Sequence, residues 1–384
     1  LGQFCIYAVL TKGKQDNLKL KHIIRIIIFT ILTALIIAFT AVLLSVPSER
    51  DVMGVYGFGK EPEDSIDVIL IGASEMYTSF YAPLAYEKYG FTSYPLAVST
   101  MTGIEFKSAV QLAMESNDPQ LYVVSLWSFA YADQHQEVSL RKWLDSLPAG
   151  KLRSETIEEI VPEELKESFR FRFLKYHSNW TNIDGCFKVL GDKADIAKRG
   201  YSVTKNFSTT YDISPVKSGK HSYRLKDEGM DALKDFLEFL NSEGIENVLF
   251  IRTPEMYTYI PEDSYYEALK LIDDAGFDYL NMAELQDEKG ISLDHDFYNP
   301  THLNIFGAET FTEWLGEYIT EHYDLDIQHR PEVKEEWDIC ASYNEQVFSK
   351  LEMKTENRQK GYIYTQKEIL EGLDAAPEKT AGEQ

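Results

Sequence analysis

The chain has 384 residues, enough for one large domain or two modest ones, and 44% of them are hydrophobic, the share expected of a protein with a packed core. A formal net charge of -24 excludes nucleic acid as a partner, because binding a phosphate backbone takes clustered Lys and Arg.

Charge is unevenly placed. Lys12, Lys14, Lys19, Lys21 and Arg25 stand against Asp16 alone in residues 1–25, a net of +4, which leaves -28 for the remainder. From Ile26 to Val46 the sequence IIIFTILTALIIAFTAVLLSV carries no charge and matches the roughly 20 apolar residues that cross a bilayer as a helix. Basic residues stay on the cytoplasmic side, so the pattern predicts a cytoplasmic tail at 1–25, a single-pass anchor at 26–46 and an extracellular remainder. A cleaved signal peptide is the competing reading. Its apolar region usually spans about 7–15 residues before a small-residue cleavage site, whereas this run is longer and LSVPSER follows it. Cys5 then lies inside. Cys186 and Cys340 lie outside, as a disulfide or as two buried thiols, and no spacing suits zinc.

Residues 47–65, rich in Gly, Pro and charge, read as a tether. Beyond it, apolar runs at 68–72, 94–98, 120–127, 247–253 and 277–281 read as buried strands. Helical spacing appears at 104–116, 227–242 and 264–275. This alternation predicts an α/β domain at 66–330: a mostly parallel five-stranded sheet with helices on both faces and ligands beyond the carboxyl ends of the strands. A charged, helix-leaning insertion at 128–226 reads as a cap over one end of the sheet, and 331–384 as a surface extension fading into disorder.

Two stretches carry candidate chemistry. DVILIGASEMYTSFYAP places Ser74 just after the first strand, with Gly72 allowing a tight turn. Ser74 is either a nucleophile or a helix N-cap with Glu75 in the first turn. Far along the chain, YNPTHLNIFG puts His302 between the Pro300 turn and an amphipathic helix. An imidazole there would supply the base a serine hydroxyl needs.

Taken together, Gly72-Ala73-Ser74 after the first strand and Asn299-Pro300-Thr301-His302 with Leu303-Asn304 and Gly307 before the last helix resemble the SGNH (GDSL-type) hydrolase superfamily. The N-terminal anchor, the GASE stretch and Ser125-Leu126-Trp127-Ser128-Phe129 are similar to its membrane-anchored envelope branch. That branch includes the D-alanyl-transfer protein of lipoteichoic acid synthesis and polysaccharide O-acetyltransferases. The resemblance covers roughly residues 65–325 outside the insertion. It implies a three-layer α/β/α sandwich and carbonyl-ester chemistry with Ser74 as nucleophile and His302 as general base. It further implies a cell-wall polysaccharide or teichoic-acid-like polymer as substrate, a membrane acyl-donor partner, and no metal or organic cofactor.

Two departures stand out. The superfamily's last block is Asp-x-x-His, yet Asn299 holds the Asp position. Asn offers an acceptor oxygen but no charge, and its amide could favour the wrong imidazole tautomer; in serine proteases the Asp-to-Asn change costs on the order of ten-thousandfold. Asp294, Asp296 or a main-chain carbonyl are the alternative orienting groups. The oxyanion hole matches at the Ser74 backbone N–H and, in the STMTG turn, at Gly103, but the usual Asn donor is absent, leaving Ser125, Ser128 or the Trp127 indole in its place. His177, in the YHSNW cluster of the insertion, is a candidate contact for an acceptor sugar, and Arg252 for an anionic or hydroxylated group. Each has a plain structural alternative: a helix-end cluster and a turn with a surface Arg. The leading expectation is a membrane-tethered ester hydrolase or O-acyltransferase of the cell envelope. Its rival is a non-catalytic envelope binding or assembly protein that keeps the fold, which Asn299 favours.

Overall fold

A computed structural model describes residues 2–44, 49–131, 137–183, 199–202, 225, 227–256, 262–293 and 296–358. They fall in two compact units, Leu1–Val46 with Glu167–Asp192, and Pro47–Lys166 with Lys193–Gln384. In chain order the described residues form α1 (Gly2–Leu44), α2 (Glu49–Phe58), β1 (Val68–Gly72), α3 (Ser74–Ser79), α4 (Ala82–Tyr89), β2 (Ser93–Ala97), α5 (Phe106–Met114) and β3 (Leu121–Ser125). Then come α6 (Glu137–Leu144), α7 (Lys151–Ile160), α8 (Glu163–Arg170), α9 (Arg172–Tyr176), α10 (Asp227–Glu243), β4 (Val248–Arg252), α11 (Glu262–Asp274), β5 (Asp278–Asn281) and α12 (Met282–Leu285). The chain continues through β6 (Phe297–Asn299), β7 (His302–Leu303), α13 (Ile305–His322) and α14 (Pro331–Arg358).

In the first unit, α1 contains 23 residues, Lys19–Ala41, with a mean hydropathy of 2.6 and none of them buried, long and apolar enough to cross a membrane. Past this stretch, Leu43 and Leu44 are buried, with Tyr176 packed against them. Asn179 Nδ2 donates to Leu44 O at 2.9 Å, satisfying one of the carbonyls that a helix C-terminus leaves without a partner.

The second unit is an α/β domain built on a five-stranded sheet of order β2-β1-β3-β4-β5, every pair parallel. The first four strands are buried throughout, which is why they read as unbroken apolar runs. Pro95 is accommodated because β2 is an edge strand, where a missing N–H leaves no ladder bond unmade. The strand order reverses between β1 and β3, so the chain leaves these neighbours in opposite directions and opens a crevice beyond their carboxyl ends. Gly72 closes β1 there. A Cβ on it would lie 2.3 Å from Met76 Cγ and 2.8 Å from Ser125 Cβ, so no larger residue fits between α3 and β3.

Three boundaries differ from expectation. The tether at 47–65 contains α2, whose Val55 and Phe58 are buried; Phe58 meets the Tyr94 ring edge-on at 5.3 Å, and Tyr94 OH donates to Gly54 O at 2.7 Å. Apolar residues three apart give this helix a face to bury. The insertion is divided between the units: α6 and α7 belong to the second, with α7 packing on α5, while residues 167–192 belong to the first. The C-terminal extension begins as α14, which packs on α4 and buries Val333, Trp337 and Cys340. Trp337 stacks under the Arg199 guanidinium at 4.7 Å, and Arg199 is also ion-paired with Glu61. Cys340 is buried and forms no disulfide among the described residues; Cys186 and residues 359–384 lie outside the described residues.

Candidate active site

Ser74 is the first residue of α3, and Ala73 is the N-cap. The Ser74 hydroxyl therefore does not cap the helix; Ser74 Oγ lies 2.6 Å from His302 Nε2, across 228 positions of sequence. Two packings bring them together. Helix α3 lies against β7, which carries His302, and α13 lies on α3 and α4, where Thr312 Oγ1 accepts from Tyr81 N at 2.9 Å.

The histidine loop is braced at several points. β6 and β7 form a two-stranded antiparallel hairpin in which Asn299 and His302 are partners across the Pro300–Thr301 turn. Asn304 caps α13, its Oδ1 accepting from Phe306 N and Gly307 N, and its own N–H donates to Asp296 O at 2.8 Å. Pro300 O accepts from Met256 N at 2.8 Å, tying the turn to the segment after β4.

Asn299 sets the imidazole. Its Oδ1 accepts from Thr301 N at 3.0 Å, an Asx-type turn, and lies 2.7 Å from His302 Nδ1. A backbone N–H can only donate, so the amide atom facing it is the oxygen. The same oxygen faces Nδ1, which must then carry the ring proton and leave Nε2 as acceptor for the Ser74 hydroxyl. Thr301 Oγ1 lies 3.0 Å from Nδ1 and donates to Asn299 Oδ1 at 3.2 Å, a second support for the same tautomer. The Asp296 carboxylate accepts from Ser292 N at 2.7 Å. Asp294 lies outside the described residues.

Beneath the serine sits a group the sequence reading took only as a first-turn acid. Glu75 is buried, and its Oε1 accepts from Ser125 Oγ at 2.6 Å and from Ala73 N at 3.1 Å. Burial pushes this carboxyl up from its ordinary value, against the Ser125 hydroxyl and backbone N–H bonds that pull it down. Ser125 is thereby corrected: its hydroxyl is committed to Glu75 rather than offered as an oxyanion donor. Ser128 Oγ is buried without a hydrogen-bond partner among the described residues, and Trp127 is 5% exposed, a packed side chain rather than an open platform.

Gly103 opens a 3-10 turn, Gly103–Glu105, beyond the carboxyl end of β2, the strand beside β1. A Cβ there would lie 2.2 Å from the Phe129 ring, so the position requires glycine for packing. Arg252 ends β4 but is not an open anion site: it is 4% exposed, ion-paired with Glu255 and set over the Tyr265 ring at 5.4 Å. His177 belongs to the other unit, where its Nδ1 lies 3.0 Å from Leu174 O.

The signal for Thr301 was present as Asn-Pro-Thr, an Asx-turn pattern whose acceptor oxygen has a fixed direction. Glu75 gave none, since its partner Ser125 is 50 positions away. No protein-family model matches the chain, and no curated protein matches its sequence.

Proposed function

We propose that the chain is a membrane-tethered serine esterase or O-acyltransferase of the SGNH type, with its α/β domain outside the cell and its substrate an O-linked ester of an envelope polymer. One observation carries the reading: a serine hydroxyl, an imidazole and an oriented amide oxygen lie in hydrogen-bonded series beyond the carboxyl end of β1, beside the crevice where the strand order reverses. In the same reading the helices flank the sheet on both faces as a three-layer sandwich, α1 is the anchor, and the basic N-terminal residues stay inside.

Ser74 Oγ attacks the ester carbonyl while His302 Nε2 takes its proton. Asn299 Oδ1 and Thr301 Oγ1 hold Nδ1–H throughout. The backbone N–H groups of Ser74 and Gly103 receive the developing oxyanion, Ser74 contributing one of the N–H groups that have no intrahelical acceptor in a first turn. His302 then protonates the departing alcohol. The acyl-enzyme passes its acyl group to water or to a sugar or polyol hydroxyl, activated by the same imidazole.

The test compares wild type with Ser74→Ala on an aryl acetate and on wall-polymer esters, alongside labelling by a fluorophosphonate read by mass spectrometry. Turnover should fall on the order of ten-thousandfold and the label should vanish from the Ser74 peptide. Equal turnover with no label on Ser74 in wild type removes the enzymatic reading.

A further inference from the structure

The first unit has a second surface suited to lipid. Residues 168–183, SFRFRFLKYHSNWTNI, hold Arg170, Arg172 and Lys175 and no Asp or Glu, in a chain whose net charge is -24, although Arg170 is ion-paired with Glu167 just before the segment. Large apolar side chains along it face outward: Phe171 is 61% exposed, Leu174 56%, Trp180 67% and Ile183 41%. Aromatic and basic residues alternating in this way form the composition of a bilayer interface, where rings sit at headgroup depth and basic heads reach phosphates. Water alone disfavours such a cluster.

Its position supplies the occupant. The segment is fastened to the end of α1 by Tyr176 against Leu43 and Leu44 and by Asn179 on Leu44 O, directly after the Lys19–Ala41 stretch. At 1.5 Å per residue that stretch spans about 35 Å, so its end reaches the headgroup layer.

We infer that residues 170–183 are a membrane-surface segment, Phe171, Leu174, Trp180 and Ile183 entering the headgroup–acyl boundary of the outer leaflet, with Arg172 and Lys175 at the depth of the lipid phosphates. This rests on α1 being the membrane anchor of the proposed function, and is independent of any ester chemistry. His177 then belongs to the lipid-facing segment rather than to an acceptor-sugar site.

The experiment uses the full chain in vesicles of phosphatidylcholine and phosphatidylglycerol, with and without acyl-brominated phosphatidylcholine. Flotation reports the anchor; tryptophan emission reports the segment. Of the other four tryptophans, all in the other unit, Trp127, Trp143 and Trp337 are buried and Trp314 is half-buried, so the Trp180 contribution is isolated by difference with Trp180→Phe, a change at an exposed position. Bromolipid should quench part of the wild-type emission, and the variant should lose that part. A floating chain quenched equally with and without Trp180, as when a second protein or water covers the segment, overturns the inference alone. A chain that does not float overturns the anchor and the inference with it.

Discussion

The sheet ends in two histidine clusters of similar parts and opposite character. At the amino ends of β1, β2 and β3, Asp67 Oδ2 accepts from Thr92 N at 2.7 Å and Thr92 Oγ1 at 2.9 Å, while Oδ1 accepts from Gln120 Nε2 at 3.0 Å. His329 closes that cluster, its Nε2 lying 3.3 Å from both Asp67 Oδ2 and Gly90 O. At the carboxyl ends, His302 has a neutral Asn on one nitrogen and a serine hydroxyl on the other. The end with the true Asp–His pair is a lock, because its imidazole nitrogen is committed to two acceptors. The other end keeps an acceptor nitrogen facing a serine hydroxyl. What the described nitrogen faces, two acceptors in one cluster and a hydroxyl in the other, separates the two.

The largest expected effect sets these histidines against each other. His302→Ala should lower ester turnover on the order of ten-thousandfold with little change in the unfolding midpoint. His329→Ala should leave turnover intact and cost about 1–3 kcal/mol of stability, read by denaturant titration. Turnover that falls equally in both variants would erase the distinction.

Much of this arrangement is legible in the sequence because it is local. Buried parallel strands announce themselves as VILIG or LYVVS, and each turn around Ser74 and His302 is set by a Gly or Pro within three residues. What stayed hidden depends on distant partners. The α14 helix shows only a charged, weakly patterned stretch until Trp337 finds Arg199 and Tyr86 OH finds Asp338 at 2.9 Å. Likewise Glu75 looks like an ordinary first-turn acid until β3 places Ser125 against it, and residues 167–183 look like part of a cap until α1 is there to receive them.

A second effect concerns charge buried at the carboxyl end. Glu105, wholly buried after β2, accepts from Thr102 N at 2.7 Å while its Oε1 has no hydrogen-bond partner among the described residues. Burial pushes this carboxyl up to about 8, against bonds from Thr102 and the charge of Lys142. The folded chain thus keeps a proton that the unfolded chain releases near the ordinary value of 4.5. Stability falls as pH rises from about 4.5 to 8 and is level above, a loss of at most about 5 kcal/mol. Glu105→Gln should flatten this decline in denaturant midpoints measured across that range, and parallel declines in both proteins would assign it to another group.

At the amino end, Asp67→Ala should cost about 3 kcal/mol, because Thr92 N–H, its hydroxyl and the Gln120 amide all lose a buried acceptor. Turnover per folded molecule should not change. A proportional loss of turnover at low temperature, where the variant remains folded, would mean that the lock and the site are coupled through β1.

The smallest effect is the most informative about Asn299. In a serine protease, replacing the orienting Asp by Asn removes two things together, the charge that stabilises the imidazolium and the direction of the ring proton. Here the second is intact, since Thr301 N–H fixes the amide oxygen toward Nδ1. Asn299 itself brings no charge. Asn299→Asp keeps both acceptor contacts and makes them charge-assisted, a gain of about 1.4 kcal/mol as the imidazolium forms, or roughly tenfold in kcat. KM should stay unchanged, because the added interaction strengthens after substrate is bound. A fall in kcat would show that the amide NH2 is the group the site depends on, and the tautomer argument would fail with it.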